Sequence, residues 1–249
     1  MQLECYFTWG LEKEAVDLKS LVQRLLDSIQ QPIEKVRTFN FLAYVKYLQG
    51  CNDDALAYLK QAEDYAKKDH EDEFEKWVLV TYGNYAWLYY HMGDISKAQD
   101  FLSQIEDICK NIPSTSHYSA PLSIVDGEKG WCYLRFAWKC YKESMVYFQK
   151  ALDQEPDYLE WNKGYAMALY CTESFDTISM EESLAFKQLK HAMELNPEDA
   201  RIVVLLCLKL IYLKQRDEGI LLFCTIRLAS ATGIKYSNCN HGEEDLVSR

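Results

Sequence analysis

Leu42-Ala-Tyr-Val-Lys-Tyr-Leu-Gln-Gly50 and Tyr85-Ala-Trp-Leu-Tyr-Tyr-His-Met-Gly93 are the two stretches whose reading decides the fold. Each sets a small residue, Ala43 or Ala86, seven positions before a glycine. Each then carries Ala five positions after that glycine (Ala55, Ala98) and apolar residues nine and twelve after it (Leu59 and Ala62; Leu102 and Ile105). Apolar residues at these intervals share one face of a helix. The glycine ends the first helix, where the backbone must turn left-handed. The small residues let a second helix cross the first closely. Each stretch therefore reads as helix, turn, helix, and Gly50 and Gly93 lie 43 residues apart.

Self-similarity at such a period signals a solenoid. Two further segments keep the second half of the pattern: Phe148, Ala151 and Pro156, and Ala185, Leu189, Ala192 and Pro197. In both, proline follows Ala by five residues, stops the second helix and opens the next unit. Four matches in register predict an all-α tetratricopeptide-repeat superhelix, an α-α solenoid of about four helix pairs plus an N-terminal helix. That first helix covers about 18–30. The pairs cover about 34–67, 74–110, 125–153 and 158–195, and one more helix begins near Ala200. The polar stretch 172–180 splits the fourth pair, and 111–123 reads as a loop. The register is lost after Gly219. The solenoid is expected over 1–219, and 220–249 is expected to be a divergent, poorly ordered C-terminal tail.

Composition agrees. The chain has 249 residues with 49% hydrophobic and 26% charged content, enough for a sizeable core, and too little polarity for a disordered chain. Ten glycines and five prolines are too few for a many-stranded sandwich or barrel. The net charge of −11 argues against nonspecific nucleic-acid binding, and DNA is not an expected partner. A local basic pocket is compatible with that charge. The nine cysteines include no Cys-x-x-Cys pair and read as reduced, mostly buried thiols. No signal peptide is recognised. The most apolar stretch, 202–226, is interrupted by Lys209 and by Lys214-Gln-Arg-Asp-Glu218, so no membrane span is expected.

Catalytic chemistry is not visible. The five histidines are isolated, no metal-ligand spacing occurs, and no glycine-rich phosphate loop is present. The expectation is a protein that is not an enzyme and uses no cofactor or metal.

Longer strings exceed the generic repeat: Cys5-Tyr-Phe-Thr-Trp9, Leu42 through Asn52, Gly83 through Gly93, Glu128-Lys-Gly-Trp131 and Leu195-Asn-Pro197. Together they resemble the N-terminal half of the interferon-induced proteins with tetratricopeptide repeats. The resemblance runs over about residues 3–214 of a chain about half as long as full-length members, and it implies a truncated member. It implies a cytoplasmic innate antiviral effector holding the 5′ end of foreign single-stranded RNA, triphosphate or incompletely methylated cap. It also implies site residues. Arg24 matches a basic residue facing the 5′ phosphates, Trp131 an aromatic stacking on the cap base, Arg135 a pocket lysine, and Tyr141 a pocket tyrosine. Ser28 stands where some RNA-binding members carry Gln. Cys171 stands where an arginine grips the phosphates, a loss of about 1.5–3 kcal/mol of charge-assisted contact.

The residues also admit plainer roles. Trp131 fits a core aromatic as well as a base-stacking plate, and Arg24 a snorkelling surface residue. Lys46, Lys139, Lys163, Arg201 and Lys209 are candidates for a basic concave face. The alternative function is a protein–protein scaffold or regulatory partner of longer family members. Under that reading Val203, Leu206, Leu210 and Ile220 are an uncovered apolar face favouring self-association or pairing with a related repeat protein.

Overall fold

The computed structural model describes residues 3–11, 16–29, 35–111, 122–173, 179–213 and 219–221. Among the described residues ten α-helices follow one another: α1 (Leu18–Ser28), α2 (Lys35–Leu48), α3 (Asn52–Asp69), α4 (Phe74–Met92), α5 (Ile95–Lys110), α6 (Ser123–Phe136), α7 (Tyr141–Gln154), α8 (Leu159–Thr172), α9 (Leu184–Leu195) and α10 (Ala200–Tyr212). No strand occurs among the described residues. Two short 3-10 turns, Glu71–Glu73 and Trp138–Cys140, precede α4 and α7. The chain divides into two compact units, Met1–Pro156 and Asp157–Arg249. The expected helix map holds to within a few residues at each boundary. The expected tail falls almost wholly outside the described residues, which end at 221.

In the first unit the helices pair as α2 with α3, α4 with α5 and α6 with α7. The two members of a pair differ in burial. Ten consecutive residues of α2, from Val36 to Val45, are buried, and α4 is buried continuously from Trp77 to Ala86. A helix enclosed by neighbours needs apolar side chains all round. α3 instead buries one stripe, Ala55, Leu59, Ala62 and Ala66, and turns its charged face to water.

The turns follow from the glycines. Gly50 and Gly93 adopt φ of +80° and +82°, which side chains with a Cβ resist. After α4, Gly93 N–H donates to Tyr90 O and Asp94 N–H to Tyr89 O, at 3.1 and 3.0 Å. Those bonds satisfy carbonyls that a helix end leaves orphaned. Asp94 then accepts from Lys97 N–H at 3.2 Å and starts α5.

The third pair departs from this pattern. Ala137 occupies the glycine position with extended backbone (φ −151°, ψ 150°), and the 3-10 turn lengthens the connection. Close approach is kept by other means. Gly130 is the small residue on α6, and a Cβ there would sit 2.9 Å from the Phe148 ring. Ser144 takes the crossing position that Ala55 holds in α3, and its hydroxyl donates to Gly130 O at 2.9 Å.

The N-terminal segment is part of the core of this unit. Cys5, Tyr6 and Trp9 are buried. Tyr6 N–H donates to Asn84 Oδ1 at 3.0 Å, and Tyr6 OH to Arg37 O at 3.2 Å. Gly83 makes this possible, because a Cβ there would lie 2.9 Å from Cys5 Cβ.

In the second unit, Ala166, Leu189, Ala192, Ile202, Val203 and Leu206 form the core of α8, α9 and α10. This corrects one expectation. Val203, Leu206 and Leu210 are buried, facing their own unit, and only Ile220 of the four is exposed. The exposed apolar residues of α10 are Val204, Leu208, Ile211 and Tyr212. The uncovered face thus lies on another side of the helix, because α10 is apolar on nearly every side and its pattern does not choose a face.

Candidate nucleic-acid interface

The candidate residues sit on three helices of the first unit. Arg24 is on α1, whose buried face is Leu21 and Leu25, and its side chain is exposed. Asp17 caps that helix by accepting from Lys19 N–H at 3.0 Å. Trp131 and Arg135 lie one turn apart on α6, and Tyr141 opens α7, half-buried. The helical spacing brings Trp131 and Arg135 together: the guanidinium carbon of Arg135 lies over the indole, 5.1 Å from its centroid. Ser28 closes on its own helix, donating to Leu25 O at 2.7 Å.

Trp131 is an interior residue, only 1% exposed. Phe148 meets it edge-on with centroids 5.4 Å apart. A second guanidinium, that of Arg37 on α2, lies over the same indole at 4.6 Å from the centroid. Arg37 is 3% exposed. The indole N–H of Trp131 is buried and donates no hydrogen bond. The site thus gathers two planar cations and an unsatisfied donor around one ring. Cations over an aromatic face gain from the ring quadrupole, most where water is excluded.

Polar groups of α2 and α6 surround this cluster. Arg135 Nη1 donates to Thr38 Oγ1 at 3.3 Å, and Thr38 is fully buried. Asn40 Nδ2 donates to Glu128 Oε1 at 2.9 Å. Burial raises the Glu128 carboxyl from 4.5 to about 7, against the opposing pulls of Asn40, Arg37 and Tyr6. Burial thus disfavours the charged carboxylate here, while Asn40 and the Arg37 charge favour it. Burial likewise pushes the neighbouring Cys132 thiol far up, which disfavours the thiolate.

Sequence reasoning missed Arg37, Thr38, Asn40 and Glu128. A signal was present: α2 is buried on every side, yet it carries Arg37 and Asn40 within Lys35-Val-Arg-Thr-Phe-Asn40. Charged and amide groups inside such a helix require partners.

Three of the lysines considered for a basic face pair with carboxylates. In the second unit, Lys163 pairs with Asp199 at 2.7 Å and lies 3.6 Å from Glu160. Lys209 pairs with Glu173. Both lysines are buried. Lys46 pairs with Asp54 at 2.9 Å, while Lys139 is exposed and Arg201 half-exposed. Cys171 is exposed on α8. Among the described residues, no group of three or more His, Cys, Asp or Glu gathers to hold a metal, and no helix is long and apolar enough to cross a membrane.

Comparison with known proteins places this geometry. Residues 34–111 match the tetratricopeptide-repeat family. The chain is 41% identical over 222 residues to human Protein IFIT1 homolog B, an alignment spanning 88% of this chain and 46% of that protein. It is 37% identical to mouse interferon-induced protein with tetratricopeptide repeats 2, over 84% of this chain and 43% of the relative. Solved structures agree. The human IFIT1 dimer with PPP-AAAA superposes with a TM-score of 0.78 at 35% identity, over 91% of this chain and 50% of that one. The same protein with m7Gppp-AAAA gives 0.80 at 34% identity, with the same coverage. The fold and the similarity together define a helical repeat protein of the tetratricopeptide class. More narrowly, the chain belongs to the interferon-induced proteins with tetratricopeptide repeats, and it spans about half the length of the curated relatives it matches.

Proposed function

We propose that this chain is a cytoplasmic antiviral effector that binds and sequesters the 5′ end of foreign single-stranded RNA, triphosphate or incompletely methylated cap, without catalysing a reaction. The observation that carries this reading is the pair of guanidiniums over the buried ring of Trp131, Arg37 buried and Arg135 half-buried. A planar guanidinium is the side chain best matched to phosphate oxygens, and in a dry site such contacts are strong. Relatives in the same family have been solved with triphosphate and capped RNA, which supports the same ligand class here. In this reading Arg24 and Arg135 hold phosphates, Trp131 and Tyr141 line the wall next to the first nucleotide, and Cys171 supplies no charge. Self-association or pairing with a related repeat protein accompanies this function, through the exposed apolar residues of α10. The repeats are taken to end near 219, with 220–249 outside them.

Fluorescence anisotropy with one short RNA carrying either 5′-triphosphate or 5′-hydroxyl, at fixed salt, tests the reading. Triphosphate should bind more tightly. Arg135→Ala should cost about tenfold or more in affinity for triphosphate RNA, the loss of one charge-assisted contact. Arg24→Ala should weaken it less, since that side chain is exposed. Equal binding of the two RNAs, unaffected by either substitution, would remove the proposal.

A further inference from the structure

Arg37 lies where a stacked base would have to go. A base stacks by laying its π face against an aromatic ring. At Trp131 that approach is occupied: the Arg37 guanidinium sits over the indole at 4.6 Å, Arg135 at 5.1 Å, and the ring is 1% exposed. The two arginines differ in how readily they could yield. Arg135 is half-buried near the end of α6. Arg37 is 3% exposed, its carbonyl accepts from Tyr6 OH, and its charge favours the ionised form of Glu128. Moving it out of the interior means parting a cation from both a ring and an acid. The groups gathered at the ring are moreover donors: two guanidiniums and the unsatisfied indole N–H. Donors suit anionic oxygens, whereas the face of a base offers them no acceptor.

From this geometry we infer that Arg37 is a specificity-determining residue: it keeps a cap base off Trp131 and restricts the site to uncapped, 5′-phosphorylated RNA. The inference rests on the 5′-end reading above and narrows its substrate class. Arg37 covers the ring and adds positive charge near the bound phosphates. A capped end, whose terminal group is a base, meets a filled position. An uncapped triphosphate ends in oxygens and does not need the ring.

The test uses the full chain and one short RNA sequence with three 5′ ends: triphosphate, hydroxyl and unmethylated guanosine cap. Wild type, Arg37→Ala and Arg37→Met are compared at fixed salt, with thermal melts confirming that each variant is folded. Wild type should bind triphosphate RNA at least about tenfold more tightly than capped RNA, a gap of about 1.4 kcal/mol. Arg37→Ala uncovers the ring and should raise the capped-to-triphosphate affinity ratio about tenfold. Arg37→Met fills the same space without charge. It should lose triphosphate affinity and still reject the cap. If Arg37→Ala does not fold, wild type and Arg37→Met still decide. Equal wild-type affinity for capped and triphosphate RNA, or an unchanged ratio in a folded Arg37→Ala, overturns the inference and leaves the 5′-end reading standing. If triphosphate RNA binds no better than hydroxyl RNA, the 5′-end reading itself falls, and the inference with it.

Discussion

Both units bury cations, and they do so differently. In the second, Lys163 and Lys209 lie against the carboxylates of Asp199 and Glu173. In the first, Arg37 and Arg135 lie against the ring of Trp131, with Glu128 nearby and raised toward neutrality. An ion pair cancels charge where it stands, so its role is structural. A ring contact engages the face of a guanidinium and leaves its edge N–H groups to other polar partners. The difference is in what each cation lies against, a carboxylate or a ring, and lysine and arginine counts would not reveal it.

The comparison is broken most forcefully from the second unit. Lys209→Ala leaves Glu173 in the interior without its cation and should cost about 3–5 kcal/mol, because an uncompensated buried charge is expensive. Urea denaturation measures it. If the loss is below about 1 kcal/mol, typical of an exposed pair, the structural interpretation is wrong.

A smaller effect sharpens the first unit's side. Gly130→Ala would drive a Cβ to 2.9 Å from the Phe148 ring, which meets Trp131 edge-on. Overpacking of this kind should cost about 1–3 kcal/mol. It should also perturb the near-ultraviolet circular dichroism of the buried tryptophan. An unchanged spectrum and stability would show that the α6/α7 crossing is looser than the geometry indicates.

Much of the fold was readable because it is local and periodic. Gly50 and Gly93 announce helix ends through backbone conformation alone, and Ala43, Ala55, Ala86 and Ala98 mark crossings through size alone. The third pair was harder to place, since Ala137 replaces the glycine and Ser144 the alanine. Phe148 and Ala151 nevertheless kept the register. The face of α10 was misassigned because an apolar pattern without a polar side chooses no direction. The candidate site was half readable. Spacing brought Trp131 to Arg135 on one helix. The contact of Arg37 with Trp131 joins α2 to α6 across 94 positions of chain, a juxtaposition that only the packing of three helices creates. Nor does residue type reveal that Glu128 is enclosed.

The last contrast is in pH response, and the two regions should move in opposite directions. Glu128 is held above its unfolded value by burial, from 4.5 to about 7. The folded state binds its proton more tightly than the unfolded state, so the associated stability is fully present below about 4.5 and is lost as pH rises through 7. For Glu173, burial alone would push the carboxyl up, but the Ala185 N–H, Lys209 and Ser183 outweigh it and hold the group below its ordinary value. Its stability is therefore present above 4.5 and is lost as pH falls through the depressed value. Gln mimics the protonated acid. Glu128→Gln should come closest to wild type in acid, near pH 5 and below, and exceed it near pH 8 by about 2–3 kcal/mol, since a rise from 4.5 to about 7 is more than a hundredfold difference in proton affinity and each tenfold is worth about 1.4 kcal/mol. Glu173→Gln should lose stability at neutral pH and approach wild type only in acid. Denaturant titrations at the two pH values read both. If Glu128→Gln follows the wild-type pH dependence throughout, the carboxyl is ionised in the folded protein at neutral pH. The first unit would then set an ionised carboxylate near Arg37, as the second sets Asp199 and Glu173 against its lysines, and the opposite pH responses would not stand.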